Sequence, residues 1–76
     1  MELHGNVPAL KAKDLVIITH RQYPTKYCKF TVERGIEQIG QFKIYYDNPE
    51  DIDVLLDGYI AAGVMVIDKN IIDFNL

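Results

Sequence analysis

Residues 41–67 read QFKIYYDNPEDIDVLLDGYIAAGVMVI, and within them the apolar residues change from every second position to a helical spacing. Phe42, Ile44 and Tyr46 alternate with Gln41, Lys43 and Tyr45, which is the pattern of a half-buried strand. Asp47-Asn48-Pro49-Glu50-Asp51 then ends the alternation and starts a helix. Asn48 can cap the exposed amides, Pro49 suits the first helical position, and the acids at Glu50 and Asp51 complement the positive end of the helix dipole. Ile52, Leu55, Leu56, Tyr59 and Ile60 recur at helical spacing and predict the buried stripe. Gly63 supplies the left-handed residue that stops the helix, and Val64-Met65-Val66-Ile67 follows as a strand.

Working back from this unit, Arg34-Gly35 predicts a tight turn, and Gly40 marks a bulge in the strand that follows it. In residues 26–34, Cys28, Phe30 and Val32 share one face, while Tyr27, Lys29, Thr31 and Glu33 share the other. Leu15-Val16-Ile17-Ile18-Thr19 is a continuous β-branched run, the mark of a strand covered on both faces, and residues 20–24 break it. Residues 1–13, with Gly5, Asn6 and Pro8, read as an irregular lead-in. Working forward, Asp68-Lys69-Asn70 reads as a turn leading into Ile71-Ile72-Asp73-Phe74 as a closing hairpin. The expectation is a single α+β domain over residues 1–76, with one helix packed on a mainly antiparallel sheet of four or five strands in the order β-β-β-α-β. Strand order stays open, because residues 15–19 could pair with 26–34 or with 64–67.

A chain of 76 residues has room for one core, and small domains of this size commonly need a staple. Cys28 is a lone cysteine, so no internal disulfide forms, and the absence of paired Cys or His spacing argues against a structural metal. No cofactor is implied. The start of the chain lacks the pattern of a secretory signal, and no apolar run approaches a bilayer span, which together predict a cytoplasmic protein with no membrane partner. The formal charge of −3 is unevenly distributed: residues 1–45 carry seven basic and four acidic side chains, and residues 46–76 carry seven acids against Lys69 alone.

Three constellations could carry function. Glu50, Asp53 and Asp57 lie at i, i+3 and i+7, one row of carboxylates that is either a solvated helix face or a contact for a basic partner. Tyr27, Lys29, Lys43 and Tyr45 fall together on the outer face of the predicted hairpin, the interleaving of rings and ammonium groups that suits single-stranded nucleic acid. Against that second reading stand the absence of an RRM or KH signature and an isoelectric point near 5.1. Third, Cys28 with His20 or His4 suggests a nucleophile and base, but the alternation turns Cys28 inward, and His20 at a strand end reads as a surface or capping residue. Asp68 and Asp73 flank the predicted turn and would pair only by coincidence of folding. No phosphate loop, nucleophile elbow or helical His pair is present, so the expectation is a protein that is not an enzyme.

In layout, the strand, capped acidic helix, Ala61-Ala62-Gly63 stop and further strand of residues 41–67 resemble several small phage-encoded inhibitors of host enzymes and some anti-CRISPR proteins. The likeness is one of architecture, without a diagnostic motif, and implies an inhibitor or modulator acting on a host macromolecule. The leading expectation is therefore a non-enzymatic protein-interaction module that meets a basic protein surface through Glu50, Asp53 and Asp57. Nucleic-acid binding through the Tyr27, Lys29, Lys43 and Tyr45 face ranks behind it, as does a self-assembling subunit, a homodimer covering the apolar C-terminus.

Overall fold

In the computed structural model, which describes residues 2–72, five strands and one helix follow the order β1 (Glu2–Asn6), β2 (Leu15–Tyr23), β3 (Tyr27–Arg34), β4 (Glu37–Tyr45), α1 (Glu50–Ala61) and β5 (Met65–Ile72). They form one mixed sheet with spatial order β1-β4-β3-β2-β5, covered on one face by the helix. The α+β class, the small single sheet and its mainly antiparallel pairing are as the sequence predicts. Only β5 runs parallel to its neighbour, β2. The reason is directional. Strands β2, β3 and β4 alternate, the helix carries the chain back across the sheet, and β5 must then run the same way as β2.

The core lies on the helix side. Val16 and Ile18 from β2, Cys28, Phe30 and Val32 from β3, and Phe42 and Ile44 from β4 are buried against Ile52 and Leu56. The Phe30 and Phe42 rings stack at 4.8 Å between centroids in the middle of it. The helix begins as its residues dictate: Pro49 already has φ −61° and ψ −16°, and Asn48 Oδ1 accepts the Glu50 N–H at 3.0 Å. It ends in a Schellman motif, with Gly63 at φ +88°, the Gly63 N–H donating to the Ile60 carbonyl and the Val64 N–H to the Tyr59 carbonyl. Leu55 and Tyr59 pack partly against the core, but Ile60, predicted in the buried stripe, is 56% exposed.

Four local expectations are corrected. The lead-in is not irregular throughout, since Glu2–Asn6 forms β1 against β4, where chain that is unremarkable in composition still satisfies its backbone groups on an edge. The 15–19 run is not covered on both faces: Val16 and Ile18 are buried while Leu15 is 55% exposed, because one helix can cover only one side. That strand does not break at His20 but continues to Tyr23. Finally, Asp68-Lys69-Asn70 is not a turn, because pairing with β2 from Met65 to Ile72 keeps it extended, and the hairpin reading falls away over these residues. Asp73 and Phe74 lie outside the described residues. The open question of strand order resolves to both alternatives at once, β2 lying between β3 and β5.

The bulge expected near Gly40 sits there: Val32 pairs Gly40, Glu33 pairs Gln38, and Ile39 is the extra residue. Gly40 also lets the 7–14 segment close over the sheet, since a Cβ at this position would lie 2.4 Å from Pro8 Cδ. That segment is fixed further by Lys13 N–H to the Gly63 carbonyl, Met65 N–H to the Asp14 carbonyl, and Asp14 Oδ2 accepting from Lys11 N–H and Arg34.

Candidate functional site

Among the described residues no helix covers the second face of the sheet. Because side chains alternate along each strand, the register determines what stands there, and it sorts the residues into rows running across the strands. One row pairs Tyr23 with Tyr27 and Tyr27 with Tyr45. The next pairs Arg21 with Lys29, Lys29 with Lys43, and Lys43 with His4. A third sets Thr19 opposite Thr31, Thr31 opposite Gln41 and, on the β5 side, Lys69 beside Thr19.

The aromatic row is a column. Tyr23 and Tyr27 stack with centroids 4.5 Å apart and planes 10° apart, Tyr27 and Tyr45 stack at 5.5 Å and 20°, and His4 meets Tyr45 edge-on at 5.6 Å. Lys43 Nζ lies 5.7 Å from the centre of the Tyr27 ring, within cation–π range. Burial in the stack, and next the neighbouring Tyr23, hold the Tyr27 hydroxyl above its ordinary value of 10.0, so this ring is neutral at physiological pH.

Within this row the pairing of Lys29 with Lys43 is electrostatically unfavourable by itself. Like charges directly opposite on neighbouring strands destabilise a sheet, and Lys29 faces a cation on each side. Among the described residues no carboxylate forms an ion pair with Lys29 or Lys43. Two acids, Glu2 and Glu33, lie towards the margins of this face, at the β1 end of the tyrosine row and opposite Ile17.

The structure thus brings together Tyr27, Lys29, Lys43 and Tyr45, with Thr31 on the face where the alternation puts it, and it adds Tyr23, Arg21, His4 and Thr19, which the sequence reading did not assign to this face. Their signal was present. Thr19, Arg21 and Tyr23 alternate with Ile18, His20 and Gln22, and are hidden only if the strand is stopped at Thr19. On the far side of the molecule Glu50, Asp53 and Asp57 are exposed along the helix, so the acidic and cationic surfaces lie on opposite sides of the sheet.

His20 overturns its sequence reading. It is 4% exposed, stacked on Phe30 at 5.7 Å, and its Nε2 lies 2.5 Å from Asp68 Oδ1 on β5, so it ties the edge strand to the core. Its buried Nδ1 has no protein partner among the described residues. Cys28 is fully buried, and burial pushes its thiol up to about 12, which keeps it protonated and unreactive as a nucleophile. Among the described residues no three His, Cys, Asp or Glu side chains cluster to hold a metal, and no helix is long and apolar enough to cross a membrane.

No protein family, curated protein or solved structure matches this chain.

Proposed function

We propose that the open sheet face binds single-stranded nucleic acid. The observation that carries this reading is the adjacency of two rows in register: the tyrosine column Tyr23, Tyr27 and Tyr45 beside the cations Arg21, Lys29 and Lys43. A single strand offers the same two chemistries at alternating positions, planar bases and anionic phosphates, and ring stacking combined with charge is how sequence-tolerant single-strand binders gain affinity. An anion laid beside Lys29 and Lys43 would also relieve the repulsion that their register imposes.

The low isoelectric point, which argued against this reading at the level of composition, weighs less once the charges have positions. Most of the acids of residues 46–76 belong to the helix and its approach, and the sheet lies between them and the cationic row. Local field, not net charge, steers a ligand to a surface. The competing reading, a basic protein held by Glu50, Asp53 and Asp57, has support only from three exposed carboxylates in a row.

The test is a fluorescence-anisotropy titration of a short labelled single strand at low and moderate salt. With about three phosphates neutralised, the logarithm of affinity should fall with the logarithm of salt at a slope near −2. Tyr27→Ala with Lys29→Ala should remove binding, and Asp53→Lys with Asp57→Lys should leave it intact. Absence of binding at low salt sinks the proposal, and capture of a protein partner that only the Asp53/Asp57 variant loses would replace it with the acidic-helix reading.

A further inference from the structure

The open face has a second region that the single-strand reading does not use. Towards the start of β2 and β5 the register sets Leu15 beside Met65 and Ile17 beside Ile67, four apolar side chains on the side of the sheet away from the helix. Leu15 is 55%, Met65 57% and Ile67 48% exposed. Lys29 and Lys43 lie diagonally across the face from this patch. Lys29 on β3 and Ile67 on β5 are separated by two strand spacings and by the four residues from Arg21 to Ile17, a diagonal of about 17 Å.

The outer surface of the helix carries a matching sequence of groups with the opposite charge. Glu50, Asp53, Asp57 and Ile60 lie at i, i+3, i+7 and i+10, one row that runs from three carboxylates to an isoleucine. All four are exposed, and the last turn of the helix has no basic residue. At the helical rise the row is about 15 Å long from Glu50 to Ile60, close to the diagonal of the sheet face.

We infer that the open sheet face of one molecule takes the helix of a second copy, head to tail, with the incoming Glu50, Asp53 and Asp57 over Lys29 and Lys43 and the incoming Ile60 over Ile17 and Ile67. Charge complementarity selects both the occupant and its direction. Two sheet faces laid together would set lysines against lysines, and two helices would set carboxylates against carboxylates, so the contact joins unlike faces. Within one molecule the sheet itself separates the two surfaces, which makes the contact intermolecular. A heterologous contact leaves a helix unpaired at one end and a sheet face at the other, so assemblies lengthen with concentration. One helix, about 18 Å long and about 10 Å wide, covers less than a standard interface, and the association is correspondingly weak and reversible. The inference does not depend on the single-strand reading. Both engage Lys29 and Lys43, so a docked helix and a bound strand exclude each other.

Sedimentation velocity of the nuclease-treated full chain, from about 10 μM to about 1 mM at low salt, tests the assembly without nucleic acid present. The weight-average mass should rise with concentration and return towards that of a monomer at about 0.5 M salt. A chain that stays monomeric throughout overturns the inference, whether or not oligonucleotides bind. Lys29→Glu with Lys43→Glu disables the sheet face, and Asp53→Asn, Asp57→Asn and Ile60→Ser together disable the helix, all at positions outside the core. Each variant alone should be monomeric, and their mixture should form a one-to-one pair and grow no further, because it holds one intact helix for one intact sheet face. Growth of either variant alone, or a mixture that does not pair, overturns the head-to-tail arrangement. Ile60→Ser by itself, at a position 56% exposed, should weaken association about tenfold, and unchanged growth would remove the apolar half of the contact.

Discussion

The two faces of this sheet are written by the same residues of chain taken alternately, and they have opposite physical characters. On the helix side Val16, Ile18, Phe30, Phe42 and Ile44 are buried to within about a hundredth of their surface, and every one is apolar. On the other side their immediate neighbours Ile17, Thr19, Lys29, Thr31, Lys43 and Tyr45 are half-buried or exposed, and Lys29 stands opposite Lys43. A face selected for stability alone would not stack like charges across its centre. The difference gives stability to one face and leaves the other open to the binding proposed above, and it can be tested residue by residue.

The sharpest break should come from Phe30→Ala or Phe42→Ala. Truncating a buried phenylalanine costs about 3–5 kcal/mol, and a domain of this size has roughly 4–11 kcal/mol in all. Urea unfolding followed by circular dichroism should show either variant largely destabilised or unfolded, and a loss under about 1 kcal/mol would mean that the inner face is not the core. Next comes Asp68→Ala, which leaves buried His20 without the partner at its Nε2 and should cost about 1–3 kcal/mol. Amide exchange should rise most in β5, the strand that the pair ties down, and uniform exchange across the sheet would contradict that role.

Cys28 sharpens the comparison from the chemical side. Its folded-state value near 12 lies above the ordinary value of 9.0, so the folded state holds the proton more tightly. The stability associated with it is whole below about pH 9 and is lost as pH rises towards 12. A thiol reagent at pH 8 should label native protein slowly and unfolded protein at once, and fast native labelling would place Cys28 outside the core.

On the outer face the expected stability effects are small and their sign is informative. Tyr27→Ala loses ring contacts worth about 0.5–1.5 kcal/mol but should remove most binding of a single strand. Lys29→Thr should raise stability by a few tenths of a kcal/mol, because it removes a cation directly opposite Lys43, while weakening that binding. A melting temperature that falls with Lys29→Thr would show that the cationic row is not frustrated, and the argument for an anionic ligand would lose its physical basis.

Much of this was legible residue by residue. The alternation in residues 27–34 and 41–46 places Tyr27, Lys29, Lys43 and Tyr45 on one face, and the Asn48-Pro49 start and Gly63 stop bound the helix, because these signals depend on local backbone geometry that the sequence encodes directly. Less legible were the strands whose evidence is tertiary. Glu2–Asn6 has no strand-like composition and is extended because β4 offers it an unpaired edge, while Asp68-Lys69-Asn70 looks like a turn and is held straight by β2. His20 looked exposed because polarity is a property of the residue, whereas its burial depends on Phe30 below it and Asp68 beside it.

By itself, then, the amino-acid sequence determined the fold class, the ends of the helix and the face to which each residue of β3 and β4 belongs, all consequences of short-range periodicity and capping. Only the tertiary structure decided which strands are neighbours. That choice aligns Tyr23, Tyr27 and Tyr45 into a column and Arg21, Lys29 and Lys43 into a row, since the residues a ligand would meet together are separated along the chain and adjacent only through hydrogen-bonded register between strands.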